Sequence, residues 1–124
     1  MRLSKKGTMS LLLAGALVFG VAGPAQAAER TVRATVGSSS ATCKVNVTID
    51  SYATTVRNLT CTKAKAGMYY RTGGGTRVFI TNAHTGTALV ERPLSGTYLE
   101  GHRYAGTRTV NGTANVSSPW YVYP

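Results

Sequence analysis

The sequence predicts an all-β protein, a small single-domain sandwich or barrel of about eight short antiparallel strands with one disulfide. The clearest observation is the stretch 43–49, in which apolar and polar residues alternate as they do in a strand with one buried face. The second is composition: after residue 27 the chain holds 17 threonines and seven tyrosines, which favour strands, with repeated glycine breaks. No window has the apolar spacing that predicts a helix.

Two cysteines, Cys43 and Cys61, are predicted to form the disulfide, because an extended run returns from the first to the second after a short polar break. The bridge would close a loop of about 18 residues and stabilise the fold by roughly 3 kcal/mol. Val56 is out of phase with Leu59 and Cys61, so we predict a bulge at 57–58. Two free thiols or a zinc site are the alternatives, although the chain offers only two histidines as further zinc ligands.

Residues 1–27 are predicted to be a secretory signal peptide. They begin with three basic residues, continue with an uncharged apolar run over 11–22 and end on small residues, so cleavage is expected between Ala27 and Ala28. A membrane anchor is the alternative, but it needs about 18–20 apolar residues and this run ends earlier. The pattern is typical of bacterial export to an oxidising compartment, which preserves disulfides. We therefore expect a secreted, extracellular and monomeric β domain, 28–124, without a membrane span.

The other strands follow in order along the chain. Residues 63–67 are interpreted as a connection, and Gly73-Gly74-Gly75 as a flexible turn, since neither the Lys-Ser/Thr end nor the helix of a phosphate loop follows. Beyond the disulfide-linked pair, strands are predicted at 31–36, 68–71, 76–82, 87–92, from 98 irregularly to 107–110, at 113–116 and at 120–123.

Two hairpins are predicted among these strands. Strands 76–82 and 87–92 are separated by a short polar loop, which is typical of a hairpin. Asn111 and Gly112 form the turn of the second hairpin, because both residues tolerate the positive φ of a type I′ turn. An immunoglobulin-type sandwich is disfavoured, since its disulfide spans many more residues than this one.

Catalytic patterns are sparse, and the sequence predicts a protein that is not an enzyme and holds no cofactor or metal. Glu91 and Glu100 could face each other across strands, as glycoside hydrolysis requires, but we expect them to offset arginines close to them in the sequence. No serine lies in a Gly-x-Ser-x-Gly motif. His84 falls in a predicted loop, and His102 is expected to be an exposed polar residue.

The chain is strongly basic, which points to anionic partners. Its formal net charge is +10, and loss of the three basic residues of the signal peptide leaves eleven basic against four acidic residues, or +7. Basic residues with aromatic neighbours can hold phosphate by charge and stack on sugars or bases. A solvated rim of arginines around half-buried tyrosines is the alternative interpretation. The set comprises Tyr69, Tyr70, Arg71, Arg77, Arg92, Arg103, Tyr104 and Arg108.

Three short motifs in residues 64–124 combine arginine, glycine and aromatic residues. They are Tyr70-Arg71-Thr72-Gly73, Gly101 with Gly106-Thr107-Arg108, and Trp120-Tyr121-Val122. Together they resemble bacterial Src-homology-three-like domains. The resemblance implies a small β-barrel that binds peptidoglycan or its stem peptides, with Tyr70, Arg71, Trp120 and Tyr121 as ligand contacts. From its position near the C-terminus, Trp120 is otherwise interpreted as a lid over the core.

These observations favour a secreted basic binding protein that attaches to the cell envelope or to other anionic extracellular polymers. The alternative is a secreted inhibitor or antagonist, of a hydrolase or of competing cells, that displays a rigid loop such as 73–76. Nucleic acid is disfavoured as a partner of an extracellular protein. The candidate binding residues are Tyr70, Arg71, Arg103, Arg108, Trp120 and Tyr121.

Overall fold

The fold is known from a computed structural model, which describes residues 26–123. Within this range the protein is all-β, without a helix, and contains nine strands instead of about eight. The predicted signal peptide lies outside the described residues except for Gln26 and Ala27, which begin the first strand. The strands are β1 (Gln26–Val36), β2 (Ser39–Ile49), β3 (Ala53–Asn58), β4 (Lys63–Thr72), β5 (Arg77–His84), β6 (Thr87–Glu91), β7 (Thr97–Val110), β8 (Thr113–Ser117) and β9 (Tyr121–Tyr123).

The strands form two antiparallel sheets that pack as a sandwich and do not close into a barrel. The first sheet has the order β1-β2-β3-β6. The second has the order β5-β4-β7-β8, and β9 also pairs with β7. Inward-facing side chains fill the space between the two sheets, because every second residue of a strand points to the same side. The core consists of Val32, Cys43, Val45, Val47, Val56, Ala64, Ala66, Met68, Ala88, Val90, Tyr104 and Tyr123.

The predicted disulfide is confirmed: Cys43 and Cys61 are bonded, with their Cα atoms 5.0 Å apart. The predicted bulge at 57–58 is wrong, since the register of β3 with β2 runs without a break from Thr54 to Asn58. Cys61 lies beyond the end of β3, so the alternation of that strand does not apply to it. The Asn58 side chain holds it there, donating to the Cys61 carbonyl and accepting from its N–H, both at 2.8 Å.

The stretch 63–67, predicted to be a connection, is instead the first half of β4, which lies between β5 and β7 in the second sheet. Its alanines, Ala64 and Ala66, are completely buried against the first sheet. The prediction failed because alanine and glycine give a weak apolar signal. A closely packed sheet can nevertheless require small side chains at its buried positions.

The predicted hairpin of 76–82 with 87–92 is wrong. Strand β5 pairs with β4, and β6 pairs with β3, so the chain crosses from one sheet to the other at Thr85 and Gly86. The crossing is held by the Asn58 N–H, which donates to the Gly86 carbonyl at 2.8 Å. The triglycine turn closes a hairpin of β4 with β5 instead.

The second predicted hairpin is confirmed. Strands β7 and β8 pair around Asn111 and Gly112, whose φ angles are 48° and 81°. The irregular strand predicted from residue 98 is one strand of 14 residues, β7, and it carries a register shift opposite Tyr69 and Tyr70 of β4. This shift shapes the candidate site.

Candidate binding surface

Strand β4 presents one row of side chains to the core and the other row to the opposite side of the second sheet. Ala64, Ala66 and Met68 are completely buried in the core. The alternate positions of β4, and the residues paired with them on β5 and β7, therefore point away from the first sheet. We call this surface the outer face. It contains Lys63, Lys65, Gly67, Tyr69, Arg71, Arg77, Phe79, Glu100, Arg103 and Trp120.

Three aromatic rings pack together on the outer face. Tyr69 stacks on Phe79 with ring centroids 4.2 Å apart, and Phe79 meets Trp120 edge to face at 5.5 Å. The rings approach the backbone of Gly67 closely: a Cβ atom there would lie 3.0 Å from Phe79 and 3.1 Å from Trp120. Trp120 is thus not a lid over the core, since it lies on the opposite side of the sheet. Gly67 permits this close packing.

Cationic side chains pack on two of these rings. The guanidinium carbons of Arg77 and Arg103 lie 4.0 and 4.8 Å from the centre of the Tyr69 ring. The Lys65 ammonium lies 4.9 Å from the centre of the Trp120 ring. Such cation–π contacts contribute about 0.5–1 kcal/mol each at exposed sites. The aromatic rings therefore hold cations and pack on each other, an arrangement that leaves little free ring surface for sugars or bases.

Glu100 enters this surface through a bulge. Leu99 pairs with Tyr70 and Gly101 with Tyr69, so Glu100 is the extra residue of β7. Its carboxylate accepts hydrogen bonds from the Nε groups of Arg71, at 2.5 Å, and Arg77. The bond from Arg71, supported by that from Arg77, keeps the pKa of Glu100 below its ordinary value. Two arginines thus already converge on one oxyanion.

Glu91 and Glu100 lie on different sheets, Glu91 on β6 and Glu100 on β7. Glu100 pairs with Arg71 and Arg77, which are distant from it in sequence, and this differs from the expected offset by a neighbouring arginine. The sequence could not show this pairing, because it depends on the register of β4 with both of its neighbours.

The two outward sheet faces differ in charge. The outer face combines five basic residues with one acidic residue, a formal charge of +4. The corresponding face of the first sheet carries three basic residues and two acidic ones, or +1. Its basic residues are Arg33, Lys44 and Arg57, and its acidic residues are Glu29 and Glu91, with Lys44 paired to Glu29 at 3.2 Å. Positive charge is concentrated on the second sheet.

The structure brings only some of the six candidate binding residues together. Arg71, Arg103 and Trp120 lie on the outer face. Tyr70 and Tyr121 occupy core-facing positions; Tyr121 stacks on Tyr104 with ring centroids 5.4 Å apart, and its hydroxyl accepts from the Arg33 N–H at 3.1 Å.

The sixth candidate, Arg108, lies beside the disulfide and donates to the Thr60 carbonyl at 2.7 Å. Tyr69 and Arg77 belonged to the wider cationic and aromatic set, whereas Lys63, Lys65, Gly67 and Phe79 were missed. The signal that could have found three of these is the period of two in Lys63, Lys65, Gly67, Tyr69 and Arg71, had 63–72 been interpreted as one strand.

The two histidines have different environments. His84 is exposed at the end of β5, and its Nδ1 accepts from the Gly86 N–H at 2.8 Å. His102 was expected to be exposed, but only 5% of it is accessible. It faces the core from β7 and is hydrogen-bonded through Nδ1 to the Thr54 hydroxyl of the first sheet at 2.6 Å. Burial lowers the pKa of His102.

Replacing Gly67 with alanine is expected to displace Phe79 and Trp120, because the added methyl would lie about 3 Å from both rings. Overpacking of this kind costs about 1–3 kcal/mol. The fluorescence of Trp120, the only tryptophan, should shift to longer wavelength, and the free energy of unfolding should fall. Gly74→Ala is the control, since its nearest neighbour is the Thr72 hydroxyl at 4.0 Å. Equal effects in both variants would contradict this account of the ring packing.

Residues 26–123 contain no helix that is long and apolar enough to cross a membrane. Nor does this range hold a group of three or more histidine, cysteine, aspartate or glutamate residues arranged to bind a metal ion. Comparison with protein-family models, curated proteins and solved structures finds no match to this chain.

Proposed function

We propose that this chain is a small, secreted, basic and non-enzymatic binding protein that attaches to the cell envelope or to other anionic extracellular polymers through its outer face. The observation that carries the proposal is the concentration of a formal charge of +4 on one side of the sandwich. The predicted signal peptide supports the location, and the disulfide is compatible with an oxidising compartment.

The ring contacts supply a physical reason for binding. An arginine side chain loses conformational entropy when it is fixed on a ligand. Packing of Arg77 and Arg103 on Tyr69 restrains these side chains before a ligand arrives. Guanidinium groups form charge-assisted hydrogen bonds to phosphate and carboxylate oxygens, so restrained arginines favour binding of an anionic polymer.

The test is sedimentation of residues 28–124 with purified bacterial cell walls at low and high salt. Replacing Arg71, Arg77 and Arg103 with glutamine should weaken binding by roughly 100-fold, since each cation near an anionic surface contributes about 1 kcal/mol. Wild-type binding should also weaken as salt rises, because exposed charges are screened.

The matched control replaces Arg33, Lys44 and Arg57 with glutamine, which removes the same charge from the first sheet. This variant should retain most of its binding. Equal loss in the two triple variants, when both are folded by circular dichroism, would show that net charge acts without a defined face. Binding that does not respond to salt would also count against the proposal.

One observation favours the alternative, a secreted inhibitor or antagonist. The loop 93–96 displays Leu94 with 75% of its surface exposed. The loop is braced at its base, where Arg92 donates to the Thr97 carbonyl at 3.0 Å and the Thr97 hydroxyl donates to the Pro93 carbonyl at 2.5 Å. The loop 93–96 also lies beside the predicted loop 73–76, since a Cβ atom on Gly73 would lie 3.6 Å from the Gly96 carbonyl oxygen. Inhibition of an extracellular protease, lost in Leu94→Ala but not in the outer-face variant, would identify this activity.

A further inference from the structure

We infer that the ligand of the outer face is a linear polymer that carries phosphate groups and lies along β4, an inference that rests on the proposed function. The cations follow this one strand. Lys63, Lys65 and Arg71 belong to β4, while Arg103 and Arg77 are the cross-strand partners of Gly67 and Arg71. The stripe thus covers the outward positions from 63 to 71, and at about 3.4 Å per residue it is roughly 27 Å long.

The cations of this stripe form two groups, one towards each of its ends. The first, second and last positions are themselves basic. The guanidinium groups of Arg77 and Arg103 both lie over the ring of Tyr69, next to Arg71, so the three arginines form one group and Lys63 and Lys65 form the other. Alternate residues of a strand are about 7 Å apart, so Lys65 and Tyr69, at the facing ends of the two groups, are separated by about 14 Å along the strand. A polymer with several charges along its length can contact both groups at once, whereas a single small anion can contact only one.

The stripe is narrow, which distinguishes a linear ligand from a planar anionic surface. On β5 the residues paired with Gly67 and Lys65 are uncharged, Thr81 and Ala83. On β7 the residues paired with Lys65 and Lys63 are also uncharged, Ala105 and Thr107. A membrane surface would match a broad array of cations, whereas a single row favours a polymer chain.

Phosphate is favoured over other anions by the arginines. Three of the five cations are arginines, whose planar guanidinium groups can donate two parallel hydrogen bonds to a phosphate. Arg71 and Arg77 already converge on the carboxylate of Glu100. Glu100 therefore occupies a position that suits a ligand oxyanion and competes with it. Glu100→Gln should bind the polymer more tightly, by about 5-fold for the removal of one like charge.

The experiment measures binding of linear polyphosphate by the fluorescence of Trp120, which lies beneath Lys65. Chains shorter than, equal to and longer than about 27 Å are compared at equal phosphate concentration. Affinity should rise by roughly 100-fold up to the length of the stripe and then level off, because additional contacts act as linked binding events. Lys63→Gln with Lys65→Gln should weaken binding of the long chain and leave binding of pyrophosphate unchanged.

Three results would overturn the inference. The first is equal affinity per phosphate for short and long chains, and the second is tighter binding to vesicles of phosphatidylglycerol than to the polymer. The third is equal binding of polyglutamate of the same length, which would remove the preference for phosphate. In each case salt-dependent binding to cell walls would leave the proposed function intact. Absence of binding to walls and to every polymer would refute both.

Discussion

Replacement of Cys43 and Cys61 with alanine is expected to lower the free energy of unfolding by about 3 kcal/mol, the value for a closed loop of this length. A domain of this size has a net stability of only about 5–15 kcal/mol, so the loss is a large fraction of the total. Urea unfolding at constant pH measures it as a lower transition midpoint.

Packing adds to the effect of the disulfide. A Cβ atom on Gly106 of β7 would lie 2.9 Å from the sulfur of Cys61, so the second sheet is in close contact with the bridge. Truncation of both sulfurs leaves space there. Reduced wild-type protein keeps the sulfur atoms and serves as the control: it should lose stability, but less than the double variant. Midpoints equal to that of the oxidised protein would contradict the prediction.

A second large effect is expected on acidification, and it originates at His102. Burial lowers the pKa of His102 in the folded protein, with a further decrease from Arg103 and an opposing increase from Asp50. Below about pH 6.5 the unfolded chain therefore binds more protons at this residue than the folded protein does. Its contribution to stability is complete above that pH and is lost as the pH falls. Each unit of pKa difference corresponds to about 1.4 kcal/mol.

Urea unfolding at pH 7.5 and pH 5.0 tests this effect. His102→Gln should lose less stability between the two pH values than wild type, and His84→Gln is the same replacement at an exposed site. Thr54→Val should cost about 1–3 kcal/mol at pH 7.5, because it leaves the buried Nδ1 of His102 without its partner. Identical pH dependence in wild type and His102→Gln would exclude His102 as the origin.

Elements with strong local signals could be predicted from the sequence. The alternation of 43–49 places large β-branched residues on one face, and Asn111 with Gly112 supplies the backbone freedom of a tight turn. The stretch 63–67 gave no such signal, because its buried residues are alanines and a glycine. Local sequence patterns also could not predict which strands pair with each other. Strands β5 and β6 adjoin in sequence, yet they belong to different sheets, since β5 pairs with β4 and β6 pairs with β3.

The candidate surface was predictable in character but not in composition. The excess of arginine and tyrosine predicted a cationic, aromatic face. The face of the sheet to which a side chain points depends on the position of its residue in the strand, and a shift of one residue moves the side chain to the opposite face. Tyr70 and Arg71 are adjacent in sequence and therefore point to opposite sides of β4. The position of Glu100 between two arginines required the bulge in β7; the sequence predicted an irregular strand from residue 98 but did not place the bulge at Glu100.

The disulfide joins β2 to the segment that follows β3, and β1, β2 and β3 are consecutive strands paired in sequence order. Contacts between neighbouring segments of a chain form fastest, since little loop entropy is lost. Oxidation of the two thiols thus needs no contribution from the downstream strands. A chain that emerges from its N-terminus can acquire this covalent link early, and the remaining strands then assemble on a half that is already restrained.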